Sequence, residues 1–202
     1  MLVIGIVANY AAVAADTFSS ELGILSKSRP RLITSWNLRQ VPPGTNGGVT
    51  VWGLVAGLLG SLIIVLASVA LIPFCPESSS VMGVAGAWAL RQRLRFVLIM
   101  TVWGALGSVL DSLLGGWFQP SVVDTRTGKI VEGKGGAHVL ISSPTSKGTA
   151  KTKGAGKQGR DEQPSRRLES GSLGLLDNNQ VNFLMALAMS IGAVALSSII
   201  RV

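Results

Sequence analysis

Cysteine, histidine and charged residues are scarce in this chain of 202 residues. Its single cysteine, Cys75, excludes any intramolecular disulfide. Its single histidine, His138, stands alone in a polar stretch, so we assign it no role. Only 14% of the residues are charged, whereas 48% are hydrophobic and the mean hydropathy is +0.47. These values are typical of a membrane protein rather than of a soluble domain.

Long apolar runs predict the membrane spans. Val49 to Phe74 and Val181 to Ile200 contain no charged residue, and Val97 to Phe118 contains only Asp111. Each run matches the ~20 residues that cross ~30 Å of hydrocarbon. Met1 to Ala15 is equally apolar but lies at the lower length limit for a span. We therefore predict an all-α fold, a polytopic transmembrane helix bundle of about four spans.

The first apolar segment has a second interpretation, as a signal peptide. Ala12-Val13-Ala14, just before Ala15, resembles a small-residue cleavage site. However, the basic residues that usually begin a signal peptide are absent, and polar residues start directly after the supposed cleavage point. We therefore favour a first membrane span.

Composition divides the chain into three parts. Residues 1–118 form a membrane domain with the first three spans, residues 119–173 a basic low-complexity loop, and residues 174–202 the final span with its Asp-Asn-Asn motif. The first and third connections carry most of the lysines and arginines, so the positive-inside rule places both in the cytosol.

The 119–173 loop is rich in Gly, Lys, Ser and Thr. Such a composition buries too little apolar surface to offset chain entropy, so we predict that most of the loop is disordered. It could attract anionic headgroups, or it could be a solvated insertion without a role of its own. No nucleic-acid partner is predicted, because no aromatic residues are interleaved with the basic ones.

Polar clusters interrupt the apolar pattern at four places near span ends. They are Asp16 to Glu21, Pro42 to Gly48, Asp111-Ser112 and Asp177 to Asn179. With four alternating spans, all four clusters meet at one membrane face. Because carboxylates are expensive to keep at a bilayer, this convergence predicts a site rather than a scaffold.

The carboxylates suggest a metal site. Asp16, Asp111 and Asp177, supported by the amide of Asn178 or Asn182, are hard oxygen ligands suited to Mg²⁺, which commonly binds carboxylates together with phosphate oxygens. Asp177 has a simpler interpretation as the cap of the fourth helix. Asp111 is harder to explain structurally, because it lies inside an otherwise apolar run.

A glycine-rich turn precedes the second span. Its backbone amides could cradle an anion at the helix start, although the lysine of a Walker sequence is missing. Its residues are Gly44, Thr45, Asn46, Gly47 and Gly48. Lys27 and Arg29 could then act as charge partners of a polyphosphate. The simpler alternatives are a turn for the glycines and membrane anchoring for the basic residues.

Other glycines recur inside the apolar runs, and we predict that they are helix-packing positions rather than ligand contacts. They are Gly53, Gly57, Gly60, Gly104, Gly107 and Gly115.

Five motifs resemble those of the transmembrane protein 19 family, integral membrane proteins of eukaryotes and prokaryotes that include the plant phytyl-phosphate kinase. The motifs occur in order at Asn9 to Gly23, Leu25 to Trp36, Val41 to Thr50, Gly107 to Gly115 and Leu176 to Asn182. Two departures are Ala15, where the family typically has Gly, and the absence of helices upstream of Asn9. The latter suggests an N-terminally truncated chain.

The resemblance implies a nucleotide-dependent transfer of phosphate onto an isoprenoid monophosphate. It also implies a set of site residues, namely Asp16, Glu21, Asn46, Asp111, Asp177, Asn178 and Asn182. We expect a multi-pass protein of an intracellular membrane, such as the endoplasmic reticulum or a plastid-type membrane. The alternatives are a transporter that uses the same carboxylates and a non-catalytic membrane subunit.

Overall fold

The computed structural model describes residues 1–72, 90–124, 127–131, 166–171 and 173–200. Four long helices form a bundle, and each is long and apolar enough to cross a membrane. They are α1 (Leu2–Gly23), α2 (Val51–Leu71), α3 (Leu90–Phe118) and α4 (Asn178–Ile200). The prediction of a four-span helical bundle is confirmed.

Helix α1 is the centre of the bundle and packs against the three other helices. Its small residues Ala8, Ala11, Ala12 and Ala15 are fully buried. Small side chains let helix backbones approach closely. Inside a bilayer the hydrophobic effect does not drive helices together, so they associate through such close packing. A segment packed in this way belongs to the folded protein, so the signal-peptide interpretation of residues 1–15 is not supported.

Neighbouring helices run antiparallel in chain order. Near one end of the bundle, a Cβ added to Gly5 of α1 would lie 2.8 Å from Cγ2 of Val194 on α4. Further along, Asn9 of α1 donates a hydrogen bond to the carbonyl of Ala186. Residue numbers thus rise along α1 while they fall along α4. The ends of α1 and α3 therefore share one end of the bundle with the starts of α2 and α4.

The predicted packing role is confirmed for five of the six intramembrane glycines, which lie at helix crossings, whereas the sixth, Gly115, lies beside Gln119 and Asn46 and not against another helix. A Cβ on Gly57 of α2 would lie 3.0 Å from the Ala15 carbonyl oxygen, and one on Gly107 of α3 would lie 2.6 Å from the Ala12 Cβ. A Cβ on Gly104 would overlap the Ser61 hydroxyl. Larger residues at these places would push the helices apart.

Two predicted boundaries are wrong. Helix α1 continues to Gly23, so Asp16 and Glu21 lie on the helix and not in the loop after it. Helix α3 begins at Leu90, well before the Val97 expected from hydropathy. In both places the chain stays helical past the apolar run, because polar residues outside the hydrocarbon can continue a helix whose apolar part is already packed.

Short strands accompany the helices. Strand β1 (Arg31–Leu32) pairs antiparallel with β2 (Gly48–Val49) in the first connection. In the third connection, β3 (Ser121–Asp124) pairs with both β4 (Ile130–Val131) and β5 (Arg166–Ser170) in an antiparallel sheet of order β4-β3-β5.

These strands correct the prediction of disorder at both ends of the 119–173 loop. Val122 and Val123 are buried at 4% and 8% exposure, respectively. Such β-branched residues favour strand pairing, a local signal that the overall composition of the loop concealed. The middle of the loop, residues 132–165, lies outside the described residues.

Candidate functional site

The four polar clusters come together at one end of the bundle, where α1 and α3 end and α2 and α4 begin. At this end, a Cβ on Gly57 would also lie 3.4 Å from the Ser108 hydroxyl of α3. Helices α1, α2 and α3 thus meet just below Asp16 and Asp111. The convergence predicted from the alternating spans is present in the structure.

Asp16 and Asp111 are the innermost charged residues at this end. Each lies seven residues before the last residue of its helix, about 10 Å along the helix axis. Asp16 is partly buried, and its carboxylate lies within electrostatic range of Asp111. Two like charges held close together at this depth repel each other unless a cation or a proton is shared between them.

One oxygen of Asp111 has no partner within the described part of the chain. Its Oδ1 atom is buried, yet no described residue donates a hydrogen bond to it. A buried polar atom left in this way costs ~1–3 kcal/mol, and more when it is charged. The unsatisfied oxygen therefore indicates that a group outside the described residues binds to the Asp111 carboxylate.

Asn182 lies at the same level on α4. It precedes Met185 by three residues and Ala186 by four, so helical spacing places all three on one face. Met185 lies beside Gly107 of α3, and the Ala186 carbonyl accepts from Asn9 of α1. Asn182 is therefore one turn further toward the start of α4 on the face that contacts α1 and α3, and it is half-buried.

Asp177 has a structural role and does not join this pair. Its Oδ1 accepts a hydrogen bond of 2.8 Å from the Gln180 amide, while the Gln180 side chain accepts one of 3.0 Å from the Asp177 amide. This reciprocal pair is a capping box at the start of α4. Asp177 is exposed, and among the described residues no three acidic, histidine or cysteine side chains form a metal-binding group. The predicted three-carboxylate metal site is thus reduced to Asp16 and Asp111.

Asn178 and the basic residues lie further out. Asn178 accepts a hydrogen bond of 3.4 Å from the Gln119 side chain, which joins the end of α3 to the start of α4. Glu21, Lys27 and Arg29 are exposed at the end of α1 and in the loop that follows. Their positions allow contact with a soluble ligand, but no described interaction directs them toward the carboxylates.

The glycine-rich turn packs against the end of α3. Three of its amides already donate hydrogen bonds, from Thr45 to Pro42, from Asn46 to Ser121 and from Gly48 to Thr45. The anion cradle predicted for this turn is therefore not formed by those amides. Gly47 instead rests on the end of α3, where an added Cβ would lie 2.9 Å from the Ser112 carbonyl oxygen. The turn thus closes the bundle one residue beyond Asp111.

Two serines of the β-sheet hold this turn in place, a contact that the sequence did not predict. The Ser121 hydroxyl accepts from the Asn46 amide at 2.9 Å, and the Ser170 hydroxyl donates to the Asn46 carbonyl at 2.9 Å. The partners are 75 and 124 positions apart, so no local pattern could have revealed them. Arg39 adds a second link between the same two connections, through an ion pair with Glu169.

The arrangement has the donor chemistry of a hard-cation site. Two partly buried carboxylates lie within electrostatic range of each other, helical spacing places the Asn182 amide on the face of α4 that packs against α1 and α3, and the glycine-rich turn covers this end of α3. Oxygen ligands of this kind suit Mg²⁺ or Ca²⁺, and one or two carboxylates leave coordination positions for a phosphate or for water.

Comparisons with known proteins place the chain among integral membrane proteins. The family model for integral membrane protein DUF92 matches residues 1–190. An uncharacterized membrane protein of Methanocaldococcus jannaschii is 38% identical over 116 residues, 57% of this chain and 40% of that protein. Protein PGR of Arabidopsis thaliana is 35% identical over 189 residues, 94% of this chain and 52% of that protein. The chain spans about half or less of the length of these relatives. No solved structure matches it.

Proposed function

We propose that this chain, which belongs to the DUF92 family of integral membrane proteins, is a phosphotransferase working at a membrane surface. The donor is a nucleoside triphosphate, and the acceptor is an isoprenoid monophosphate whose tail lies in the bilayer. The motif resemblance to a family that includes a lipid-phosphate kinase supports this reaction, and the multi-pass fold suits a lipid substrate.

The observation that carries the proposal is the buried Oδ1 of Asp111, which has no hydrogen-bond partner among the described residues and lies within electrostatic range of the Asp16 carboxylate. A purely structural carboxylate at this depth would be expected to have a hydrogen-bond donor or a basic partner. A pair of carboxylates in which one oxygen has no described hydrogen-bond partner instead fits a protein whose function requires a bound cation.

Mg²⁺ fits this donor set, with Asp16 and Asp111 as its carboxylate ligands and the Asn182 amide as a further oxygen. Bound there, Mg²⁺ would neutralise phosphate charge and orient the transferred group. The two aspartates would hold it, while Lys27 and Arg29 at the same end of the bundle would attract the nucleotide through its negative charge.

The reaction needs positioning more than acid–base chemistry. An oxygen of the acceptor phosphate forms a bond to the terminal phosphorus of the nucleotide. At the same time the bond from that phosphorus to the bridging oxygen breaks, and the nucleoside diphosphate leaves with the electron pair. Because the acceptor phosphate is already ionised, the protein need not remove a proton. The glycine-rich turn over Asp111 helps to exclude water, which would otherwise compete as the acceptor.

The proposed orientation places this end of the bundle in the cytosol of an intracellular membrane. Lysines and arginines are concentrated in the first and third connections, and both connections lie at the Asp16–Asp111 end. Cytosolic nucleotide would then reach the site directly.

The test is transfer of labelled terminal phosphate from CTP or ATP to a panel of prenyl monophosphates, with purified full chain in lipid nanodiscs. We expect Mg²⁺-dependent product with the natural sequence and none with Asp111→Asn. Asp124→Asn, which removes a half-buried carboxylate of strand β3 at the same end, is the matched control and should keep activity. Full activity in Asp111→Asn would overturn the proposal.

A second function is favoured by polar groups deeper in the bundle. Ser108 lies three residues before Asp111 and Thr101 seven residues before Ser108, so all three share one face of α3. Thr101 is buried, and no described residue bonds to its hydroxyl. Such a line of polar side chains suits passage of an ion through the bundle. Ion flux into proteoliposomes without nucleotide consumption would favour transport over phosphate transfer.

A further inference from the structure

A groove on the lipid-facing side of the bundle runs between α1 and α4. Its volume is about 420 Å³, within the range of sites that hold small-molecule ligands. Leu2, Ile6 and Asn9 line it from α1, and Ser190, Ile191 and Val194 line it from α4. The groove lies inside two membrane spans, so its surroundings are the hydrocarbon chains of the bilayer.

Two of the three polar side chains in the groove, Asn9 and Ser190, already donate hydrogen bonds to the protein, and the third, Tyr10, is 63% exposed at its edge. The Ser190 hydroxyl donates to the Gly5 carbonyl at 2.9 Å, and the Asn9 amide donates to the Ala186 carbonyl at 3.4 Å. What the groove offers to a ligand is therefore mostly apolar surface. A hydrocarbon chain suits such a surface, whereas a polar ligand would lose its own hydrogen bonds without replacing them.

The groove leads toward Asp16. Leu2, Ile6, Asn9, Val13 and Asp16 recur at alternating spacings of four and three residues, so they form one stripe along α1. From Asp16 to Leu2 this stripe is about 21 Å long, at 1.5 Å per residue. A phosphate near Asp16 and a tail in the groove could therefore belong to a single lipid molecule.

Resting on the function proposed above, we infer that the α1–α4 groove binds the hydrocarbon tail of the lipid-phosphate substrate. The substrate enters sideways from the bilayer at the seam between α1 and α4, with its phosphate at the Asp16–Asp111 end. Gly5 keeps the two helices close along the floor of the groove, since an added Cβ would lie 2.8 Å from Val194.

The test is photocrosslinking with a prenyl monophosphate that carries a diazirine at the far end of its tail. The full chain in nanodiscs is irradiated with the probe, and the labelled residues are mapped by mass spectrometry. We expect labelling to concentrate on the residues that line the groove, and an excess of unlabelled prenyl monophosphate to suppress it. Labelling that is spread uniformly over the groove, α2 and α3 would overturn the inference, because it would mean that the probe reacts from the bulk lipid and not from a binding site.

A groove-filling variant gives a second, independent measurement. Ile191→Trp places a large side chain in the groove at a position that is 59% exposed, whereas Ile63→Trp makes the same change on α2 at a position that is 47% exposed. We expect Ile191→Trp to lower labelling roughly tenfold, a difference of about 1.4 kcal/mol, and Ile63→Trp to leave it unchanged. Equal effects of the two variants would contradict tail binding here.

The two proposals can fail separately. Crosslinking needs no turnover, so groove labelling in a protein that transfers no phosphate would keep the tail site and reject the kinase. Normal phosphate transfer in Ile191→Trp, with an unchanged KM for a long-tailed acceptor, would keep the kinase and reject the tail site.

Discussion

Arg39 in the first connection forms an ion pair with Glu169, 130 positions later in the third connection. The guanidinium also donates to the Glu169 carbonyl at 2.5 Å, so both the side chain and the backbone of Glu169 are held. The Glu169 side chain is only 9% exposed. The pair fastens the two connections to each other directly above the bundle end that carries Asp16 and Asp111.

Removal of this pair should loosen the two connections without unfolding the bundle. Arg39→Ala should lower the free energy of unfolding by about 1 kcal/mol, the upper part of the range for ion pairs with an exposed member. Thermal unfolding in nanodiscs measures the change. In a double-mutant cycle with Glu169→Gln, purely additive effects would mean that the pair contributes nothing to stability.

Asp111→Asn should separate function from stability. The substitution removes a buried charge beside Asp16, so we expect the free energy of unfolding without Mg²⁺ to stay the same or rise by about 1–2 kcal/mol. Mg²⁺ at 100 times its dissociation constant should stabilise the natural protein by about 2.7 kcal/mol and should not stabilise the variant. Equal Mg²⁺-dependent shifts in melting temperature for both proteins would exclude Asp111 as a ligand.

Two glycines in the glycine-rich turn provide a matched pair. Gly44 and Gly47 both have positive φ, at 86° and 81°. A Cβ on Gly44 would meet nothing closer than 3.7 Å, whereas one on Gly47 would lie 2.6 Å from the Gly116 Cα. Gly44→Ala should therefore cost only the ~1–2 kcal/mol of a left-handed alanine. Gly47→Ala should cost a further ~1–3 kcal/mol from overpacking against α3.

Thermal unfolding of the two variants checks this difference. Similar melting temperatures would mean that the turn moves away from α3 at little cost. In that event, the close packing of Gly47 would not be what holds the turn over Asp111.

Asp177 tests the choice between a cap and a metal ligand. Serine is a good N-cap residue and a poor metal ligand, so Asp177→Ser should keep both stability and phosphate transfer if capping is the only role. Asp177→Ala should lower the free energy of unfolding by about 1 kcal/mol. Denaturation and activity of both variants are the measurements. A loss of activity of 100-fold or more in Asp177→Ser, with stability intact, would restore Asp177 to the site; that is the size of effect expected from a group that supports a bound metal.

The sequence predicted the parts of this molecule that depend on local pattern. Uninterrupted apolar runs identified the four spans, the motif order identified the family, and the position of Asp111 within an apolar run marked it as a candidate site residue. Each of these signals lies within a single segment of chain, which is why hydropathy and spacing were sufficient to find them.

Features that depend on distant contacts were not predictable in this way. Asp177 satisfies both the metal-ligand pattern and the cap pattern, and only the position of Asp177 relative to Asp16 and Asp111 decides between them. The pairing of Ser121 and Ser170 with Asn46 joins segments whose separation in sequence carries no signal. The alternating stripe that connects Asp16 to the groove was hidden because almost every residue of α1 before Asp16 is apolar.

The register of the small sheet has a consequence for the long connection between α3 and α4. Val131 pairs with Val122 on one side of β3, and Arg166 pairs with Asp124 on the other. The ends of the segment between Val131 and Arg166 are therefore two strand spacings apart across the sheet and two residues apart along β3, about 12 Å in all. Because β4 and β5 both pair with β3, the sheet fixes these two ends relative to each other, and a fluorescent protein or an affinity domain inserted between them should leave the packing of α3 against α4 unchanged.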